Sequence, residues 1–401
     1  MFVFIEISLI SLINCFNKIV FMLFSQQRLS ASVIDLFKGF KYVFLGSSVK
    51  NIKKHLPIKK NYYFLASARE GLYQIIENIS KFDGFSRNSL RVGISAYSCC
   101  VVDKSVKRAN CSILYYDGGV VADYEDILKI IDKLDVLVLS YNFGFVCDVK
   151  KIRKLCSQKG VILVEDCAQT YGMKCFLDES EDLVGTLGDY SVFSFGISKN
   201  IGFTGGVICS NKELEIKNVS KYPFLNIFKI GFEVLISSIF FNKFFYSFFV
   251  RLLNKKLVQK PKKMNYSLNK YVLGVVESIS KRYNQIFSIR FRNYKYLSKY
   301  LSGQINFVKD VFGSSYLYFV ILIDDVFLKK KFVKMLLDEG VEIGEMKSFV
   351  CFDDNFVKAR EIEKKVLTFS LYRPFSEVKF IAQKIKKVSM KLGLSDLMGK
   401  K

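Results

Sequence analysis

The sequence is poor in histidine, with His55 as the single example among 401 residues. Ten cysteines are present, but they include no C-x-x-C pair and only one adjacent pair, Cys99-Cys100. Structural zinc sites draw their ligands from closely spaced Cys and His residues, and no such spacing occurs here, so we expect no metal centre. One histidine also argues against Ser-His-Asp or Cys-His catalysis, and acid–base chemistry then falls to Lys, Asp, Glu or Tyr. Scattered thiols of this kind are typical of a reduced, cytoplasmic chain.

Acidic residues are scarce beside basic ones, with 37 Asp and Glu against 61 Lys and Arg and a net charge of +24. The mean hydropathy is positive, +0.20. This balance favours an anionic partner, such as membrane headgroups, nucleic acid or a phosphorylated substrate, and a genomic bias toward Lys, Phe and Ile explains it equally well. No nucleic-acid recognition motif occurs, so we do not expect nucleic acid to be the partner.

Two apolar segments lie outside the main pattern. Residues 1–24 are apolar but carry Glu6 and Lys18, which disfavours a spanning helix or a secretory signal and indicates an interfacial or packed helix. Residues 223–253 are Phe-rich with a narrow polar stripe, and a basic linker follows them. With the charge, these segments predict attachment to the cytoplasmic face of an anionic membrane. The alternative is that both pack on the protein core or on a dimer interface.

Between and after these segments, short apolar runs alternate with helical stretches. Runs this short, without polar alternation, are typical of strands buried on both faces of a parallel sheet. The predicted strands cover residues 62–65, 91–96, 135–140, 161–164 and 316–323, and the predicted helices cover 69–79, 124–131, 149–158, 267–303, 328–339 and 376–392. The sequence therefore predicts an α/β fold with a large, mostly parallel sheet and a small C-terminal α/β domain. We divide the chain into an extension (1–60), a large domain (61–222), an insert with its linker (223–263) and a C-terminal region (264–401).

Three features of the large domain form one chemical set. Asp166 ends a buried strand, Ser194 ends the next one with Lys199 five residues later, and a Gly205-Gly206 turn follows. The carboxyl ends of strands in open α/β sheets are where ligands bind. Pyridoxal phosphate (PLP) needs a lysine amine for covalent attachment, a carboxylate for its pyridine nitrogen, and donors for its phosphate at a helix N-terminus. Taken singly, a capping acid and a solvated loop lysine remain ordinary alternatives.

These segments are similar to motifs of the DegT/DnrJ-type aminotransferases, which are PLP enzymes of fold type I that act on nucleotide-linked keto-sugars. The resemblance runs from about residue 62 to 392. The motifs that carry it are Ser67–Leu72, Ser95–Cys99, Gly144–Ile152, Glu165–Gly172, Gly188–Gly206 and Gly340–Gly344.

The resemblance implies a role for each residue at a matching position. Lys199 would carry PLP and move the proton, Asp166 would pair with the pyridine nitrogen, and Gln169 would contact the phenolic oxygen. The phosphate would be bound by the Ser194 hydroxyl and by the backbone amides of Ala68 and Arg69.

Two further positions are less closely matched. The aromatic residue that stacks on the ring aligns with Cys99, with Tyr97 two residues earlier. The resemblance also implies a homodimer, in which an asparagine of the second subunit reaches the phosphate and Asn265 is the nearest candidate.

The resemblance predicts an aminotransferase that moves an amino group from an amino acid, glutamate, to a nucleotide-linked keto-sugar, for surface glycan or related amino-sugar biosynthesis. The alternative is a PLP-fold scaffold or regulator without turnover. The altered strand Tyr97–Cys99 motivates that alternative, and the intact Lys199, Asp166 and Ser194 oppose it.

Overall fold

A computed structural model describes residues 30–45, 48–82, 90–174, 182–217 and 267–394. The predictions for residues 1–24, for the segment 223–253, for the basic linker after it and for Asn265 fall outside the described residues. They therefore stay predictions.

Eleven strands occur within the described ranges. They are β1 (Asn61–Leu65), β2 (Arg91–Ser95), β3 (Tyr97–Cys99), β4 (Ser112–Tyr116), β5 (Val136–Ser140), β6 (Ile162–Asp166), β7 (Tyr190–Ser194), β8 (Gly206–Ser210), β9 (Tyr318–Leu322), β10 (Phe349–Cys351) and β11 (Val366–Ser370).

The same ranges contain eleven α-helices. They are α1 (Val33–Leu45), α2 (Lys50–Lys53), α3 (Ala68–Phe82), α4 (Cys100–Arg108), α5 (Tyr124–Leu128), α6 (Val149–Lys159), α7 (Lys270–Lys281), α8 (Tyr283–Tyr300), α9 (Val326–Asp338), α10 (Val357–Lys365) and α11 (Phe375–Lys391). Short 3₁₀ turns occur at Ile131–Lys133 and Asn142–Gly144.

The main sheet has seven strands in the order β1-β8-β7-β6-β5-β2-β4. The pairs from β7 to β4 are all parallel, and β8 runs antiparallel to both of its neighbours. The carboxyl ends of β1, β5, β6 and β7 consequently lie at one edge of the sheet. The predicted mostly parallel α/β sheet is confirmed.

Side chains alternate between the two faces of this sheet, as strand geometry requires. Val136 and Val138 join the apolar cluster that contains residues of α3 and α4, whereas Leu137 and Leu139 join the cluster that contains residues of α6 and α7. Helices therefore cover both faces, which is why the strands read as continuous apolar runs.

The C-terminal region has its own core. β9 and β11 pair antiparallel, and their apolar side chains pack with those of α8, α9 and α11. β10 pairs antiparallel with β3, so this part of the chain reaches the edge of the main sheet.

Two elements differ from the predicted pattern. The helix predicted over 267–303 is divided into α7 and α8 at Arg282, whose guanidinium reaches Asp35 and the carbonyl of Ser30. Helix α1 lies within the N-terminal extension (1–60), beyond residues 1–24, the only part of it for which the sequence predicts a helix. Its basic residues lie on the exposed side, while Leu36 and Gly39 are buried against the protein.

None of the helices in the described ranges is long and apolar enough to cross a membrane.

Candidate active site

A cavity of about 180 Å³ opens at the carboxyl ends of β5, β6 and β7, beside the start of α3. The predicted residues Asp166, Gln169, Ser194 and Lys199 line it together with Ala68, Arg69 and Cys99. Residues that are far apart in the sequence meet there because parallel strands end at the same edge of a sheet.

Asp166 is the last residue of β6, directly opposite Ser140 at the end of β5. Its carboxylate accepts hydrogen bonds from the backbone N–H of Ala168 (3.1 Å) and from the Ser140 hydroxyl (3.4 Å). Burial raises the pKa of the Asp166 carboxyl, and the nearby charge of Lys199 partly offsets that rise. A second cation in the cavity, such as a protonated ring nitrogen, would stabilise the ionised carboxylate further.

Lys199 lies in the turn between β7 and β8. Its backbone N–H donates to the carbonyl of Gly196 (3.0 Å), and the loop is closed by the N–H of Phe195, which donates to the carbonyl of Gly205 (2.8 Å). The next residue, Asn200, is fully buried and its side-chain amide donates to the Tyr283 hydroxyl (3.1 Å). These contacts hold a half-buried lysine at the cavity wall, where, among the described residues, it forms no ion pair.

The start of α3 forms one end of the cavity. Ser67 caps this 15-residue helix by accepting from the N–H of Glu70 (3.3 Å). Ser194 accepts from the N–H of Gly196 (3.3 Å) at the same end. A Cβ on Gly206 would lie only 2.5 Å from the backbone nitrogen of Ala68, so glycine is what allows the helix to approach the sheet this closely. Free N–H groups at a helix N-terminus bind phosphate well.

Gln169 offers an unused donor to the cavity. Its side-chain carbonyl accepts from the N–H of Phe143 (2.8 Å), and its backbone carbonyl accepts from the Ser315 hydroxyl (2.7 Å). The Gln169 amide Nε2 is buried and finds no partner within the described part of the chain. Buried donors are normally paired, so an acceptor oxygen of a ligand fits here. The Nε of Arg69, at the end of the cavity where the phosphate is expected, is likewise a buried donor without a partner among the described residues.

The structure separates the two candidates for ring stacking. Cys99 lines the cavity, but Tyr97 does not. Tyr97 is fully buried behind the wall, with its ring centroid 6.4 Å from that of Phe143 and 6.0 Å from that of Phe349. Tyr97 therefore supports the wall instead of contacting a ligand.

Phe349 is a wall residue that the sequence gives no local signal for. It pairs directly with Cys99 across β3 and β10, lines the cavity, and stacks on Phe143 with 4.7 Å between ring centroids. An aromatic face is thus present beside the position where the resemblance places one, contributed by a segment about 250 residues later. Only the pairing of β3 with β10 brings it there.

Tyr141 and Asn142 also line the cavity and were not among the predicted residues. The Tyr141 hydroxyl donates to the buried carboxylate of Glu165 (2.6 Å), and Asn142 donates to the carbonyl of Tyr97 (3.0 Å). Glu165 also accepts from the N–H of Gly185 (3.0 Å). These contacts fix the loops around Asp166.

Cys100, beside Cys99, has an unusually acidic thiol. A hydrogen bond with Cys99 lowers the pKa of Cys100 to about 6, with additional effects of Lys104 and Arg69. A thiolate is therefore expected at neutral pH at the start of α4.

Taken together, the residues present fit PLP. A buried carboxylate, a lysine, an unpartnered amide donor and a helix N-terminus match the ring nitrogen, the aldehyde, the phenolic oxygen and the phosphate, respectively.

The segment that contains Asp166 and Lys199 also matches known proteins. The sequence profile of the DegT/DnrJ/EryC1/StrS aminotransferase family matches residues 120–227. The GDP-perosamine synthase of Vibrio cholerae is 36% identical over 94 residues, which are 23% of this chain and 24% of that protein. The chain thus aligns with about a quarter of the length of the curated relatives it matches.

Two solved structures share the fold over nearly their full lengths. The aminotransferase TlmJ from Streptoalloteichus hindustanus has a TM-score of 0.66 at 14% identity, over 90% of this chain and 96% of that one. Helicobacter pylori PseC, an aminotransferase involved in the biosynthesis of pseudoaminic acid, has a TM-score of 0.66 at 15% identity, over 92% of this chain and 100% of that one. The predicted fold type I architecture is confirmed.

The profile match spans both Asp166 and Lys199, which the fold brings to one cavity. With the shared fold, it confirms the predicted resemblance to the DegT/DnrJ/EryC1/StrS aminotransferase family over residues 120–227.

Proposed function

We propose that the chain is a PLP-dependent aminotransferase that transfers an amino group from an amino acid, glutamate, to a nucleotide-linked keto-sugar. The observation that carries this proposal is the cavity itself, in which Asp166, Lys199 and the unpartnered amide of Gln169 meet. The matching segment of the GDP-perosamine synthases supports a nucleotide-linked sugar as the acceptor.

When bound, PLP supplies an electron sink for the bond changes at the substrate carbon. The residues of the chain bind it and manage protons. Asp166 would pair with the ring nitrogen of PLP and keep a proton on it. The Lys199 amine serves as the proton carrier, since it is held at the cavity wall without an ion-pair partner among the described residues. The start of α3, with Ser194, binds the phosphate, and the Gln169 amide orients the ring.

The proposal also covers the oligomeric state, the domain division and the cellular location. We propose a homodimer in which the second subunit completes the site, the domain division at 61–222 and 264–401, and a cytoplasmic location at an anionic membrane surface. Production of amino sugars for surface glycans is the proposed context. Light scattering tests the dimer, because a fully active monomer would contradict it.

A scaffold without turnover is the second candidate, and Cys99 at the stacking position is the observation that favours it. Such a protein would bind PLP but would aminate no acceptor. The nearby Phe349 counts against it, because it supplies an aromatic face at the same wall.

The test uses the full chain with PLP, glutamate and a panel of nucleotide-linked keto-sugars, with mass spectrometry of the products. We expect an amino-sugar nucleotide with wild type and with Lys133→Ala, which changes an exposed lysine that does not line the cavity. Lys199→Ala should give none. Retention of PLP without amination of any acceptor would favour the scaffold, and failure to bind PLP would overturn both candidates.

A further inference from the structure

Helix α1 exposes an apolar surface that the proposed catalysis does not use. Four large apolar side chains are mostly exposed: Ile34 (64%), Phe37 (71%), Phe44 (83%) and Leu45 (73%). The lysines Lys38 and Lys41 are exposed on the same helix. We call these six residues the α1 outer face; none of them lines the cavity.

The opposite side of α1 is held firmly, so the orientation of the outer face is fixed. Asp35 is buried and forms an ion pair with Arg282, and it accepts from the Ser278 hydroxyl (2.7 Å). Gly39 lies so close to Tyr271 and Val275 on α7 that a Cβ there would approach them to within 2.8 Å and 2.5 Å. The outer face is therefore not a core face that a small rotation of the helix would bury.

The chemistry of the outer face combines apolar and cationic groups without acids. At about 100° per residue, Lys38 and Lys41 fall in the same sector as Ile34 and Leu45. The only acidic residue of the helix, Asp35, is on the buried side. A lysine in this setting can lay its methylene chain along apolar neighbours while its ammonium reaches an anion.

We propose that the α1 outer face binds the surface of an anionic lipid bilayer, with the helix lying in the interface. Phe37, Phe44 and their apolar neighbours would enter the acyl boundary, and the two lysines would meet the headgroup phosphates or carboxylates. The inference names the contact surface for the proposed membrane location. It does not depend on the aminotransferase proposal, because the face is separate from the cavity.

Charge distinguishes this occupant from a second copy of the chain. In a symmetric dimer the same patch meets itself, which would bring Lys38 and Lys41 toward their own counterparts with no acid on the face to compensate. Anionic headgroups complement the same lysines. Nucleic acid would satisfy the lysines but would leave four large apolar side chains without a suitable environment.

The absence of tryptophan from the chain permits a direct test. In the full-length variant Phe37→Trp, the single tryptophan should emit as a solvent-exposed indole in buffer. It should shift to the blue when vesicles containing phosphatidylserine are added at low salt, but not with pure phosphatidylcholine. Phe327→Trp is the matched control, because Phe327 is 84% exposed on α9. Its emission should not change.

Flotation with the same vesicles measures how much the apolar side chains and the lysines each contribute to membrane binding. Phe37→Ser with Phe44→Ser should weaken vesicle binding more than tenfold, and Lys38→Gln with Lys41→Gln by roughly fivefold per lysine. The control variants Phe327→Ser and Lys330→Gln with Lys331→Gln, on α9, should bind like wild type.

Three results would overturn the proposal. One is wild-type protein that ignores anionic vesicles at low salt, and another is outer-face variants that float like wild type. The third is a tryptophan in Phe37→Trp that is already shielded in buffer, which would show that another part of the chain or a second copy covers the face. Amination activity in solution is measured in parallel, so failure of membrane binding remains distinct from failure of the proposed enzyme function.

Discussion

Gly206→Ala is the change whose effect follows most directly from the geometry of the site. Gly206 begins β8, where it pairs with Leu65 of β1 and Ser194 of β7. The added Cβ would lie 2.5 Å from the Ala68 nitrogen and 2.8 Å from the Phe193 carbonyl oxygen. Both atoms belong to the backbone, so no side-chain rotation relieves the contacts.

The expected loss of stability follows from how far the backbone of α3 must move away from the added Cβ. Ordinary contact with a Cβ begins at 3.4 Å, so the first turn of α3 must retreat by about 0.9 Å from the sheet. Overpacking of this kind costs about 1–3 kcal/mol. Because the displaced Ala68 N–H belongs to the proposed phosphate site, PLP affinity should fall by tenfold for each ~1.4 kcal/mol that is lost.

The assay compares urea unfolding of the apoprotein by circular dichroism with a PLP titration followed by absorbance. Gly119→Ala is the matched control, since a Cβ there meets nothing closer than 3.9 Å. We expect Gly206→Ala to have a lower unfolding midpoint and weaker PLP binding than both wild type and the control. If Gly206→Ala matched Gly119→Ala in both measurements, the close approach of α3 to the sheet would not be what shapes the site.

Four further predictions concern single side chains. Asp166→Asn should retain PLP but lose about 10²–10⁴-fold in turnover, because a neutral partner no longer stabilises the protonated ring nitrogen; near wild-type turnover in steady-state assays would assign that role elsewhere. Phe349→Ala should raise the Kd for PLP in titrations, whereas Phe349→Tyr should not. Alkylation of Cys100 by iodoacetamide, followed by peptide mass mapping, should increase as pH rises through about 6, since its pKa is lowered to about 6, while Cys111, with its pKa raised to about 11 by burial, should stay unreacted at neutral pH. Burial lowers the pKa of His55 below 6.5, so the unfolded chain takes up a proton first and stability should fall as pH drops below about 6.5; His55→Gln should remove that part of the slope in urea titrations.

The parallel sheet was predictable because its strands are buried on both faces and therefore read as short apolar runs, as in Val136–Ser140. The chemical set was predictable because Asp166, Ser194 and Lys199 follow strand ends at fixed spacings, and those ends meet at one edge of the sheet. In these cases local pattern and global topology agree.

Features set by distant contacts were not predictable in the same way. Helix α1 has only a narrow buried side, which depends on Gly39 fitting against α7, and most of its large apolar side chains face outward. Arg282, at the break between α7 and α8, pairs with Asp35, a contact that joins residues 247 positions apart. Phe349 reaches the cavity only through the pairing of β10 with β3.

The central claim is that Lys199 carries the cofactor in the cavity beside Asp166. Borohydride reduction of the PLP-loaded full chain, followed by proteolysis and mass spectrometry, tests it directly. We expect a pyridoxyl label on Lys199, with no label on the peptides that contain other lysines. A label on a different lysine, or PLP binding without any reducible attachment, would contradict it.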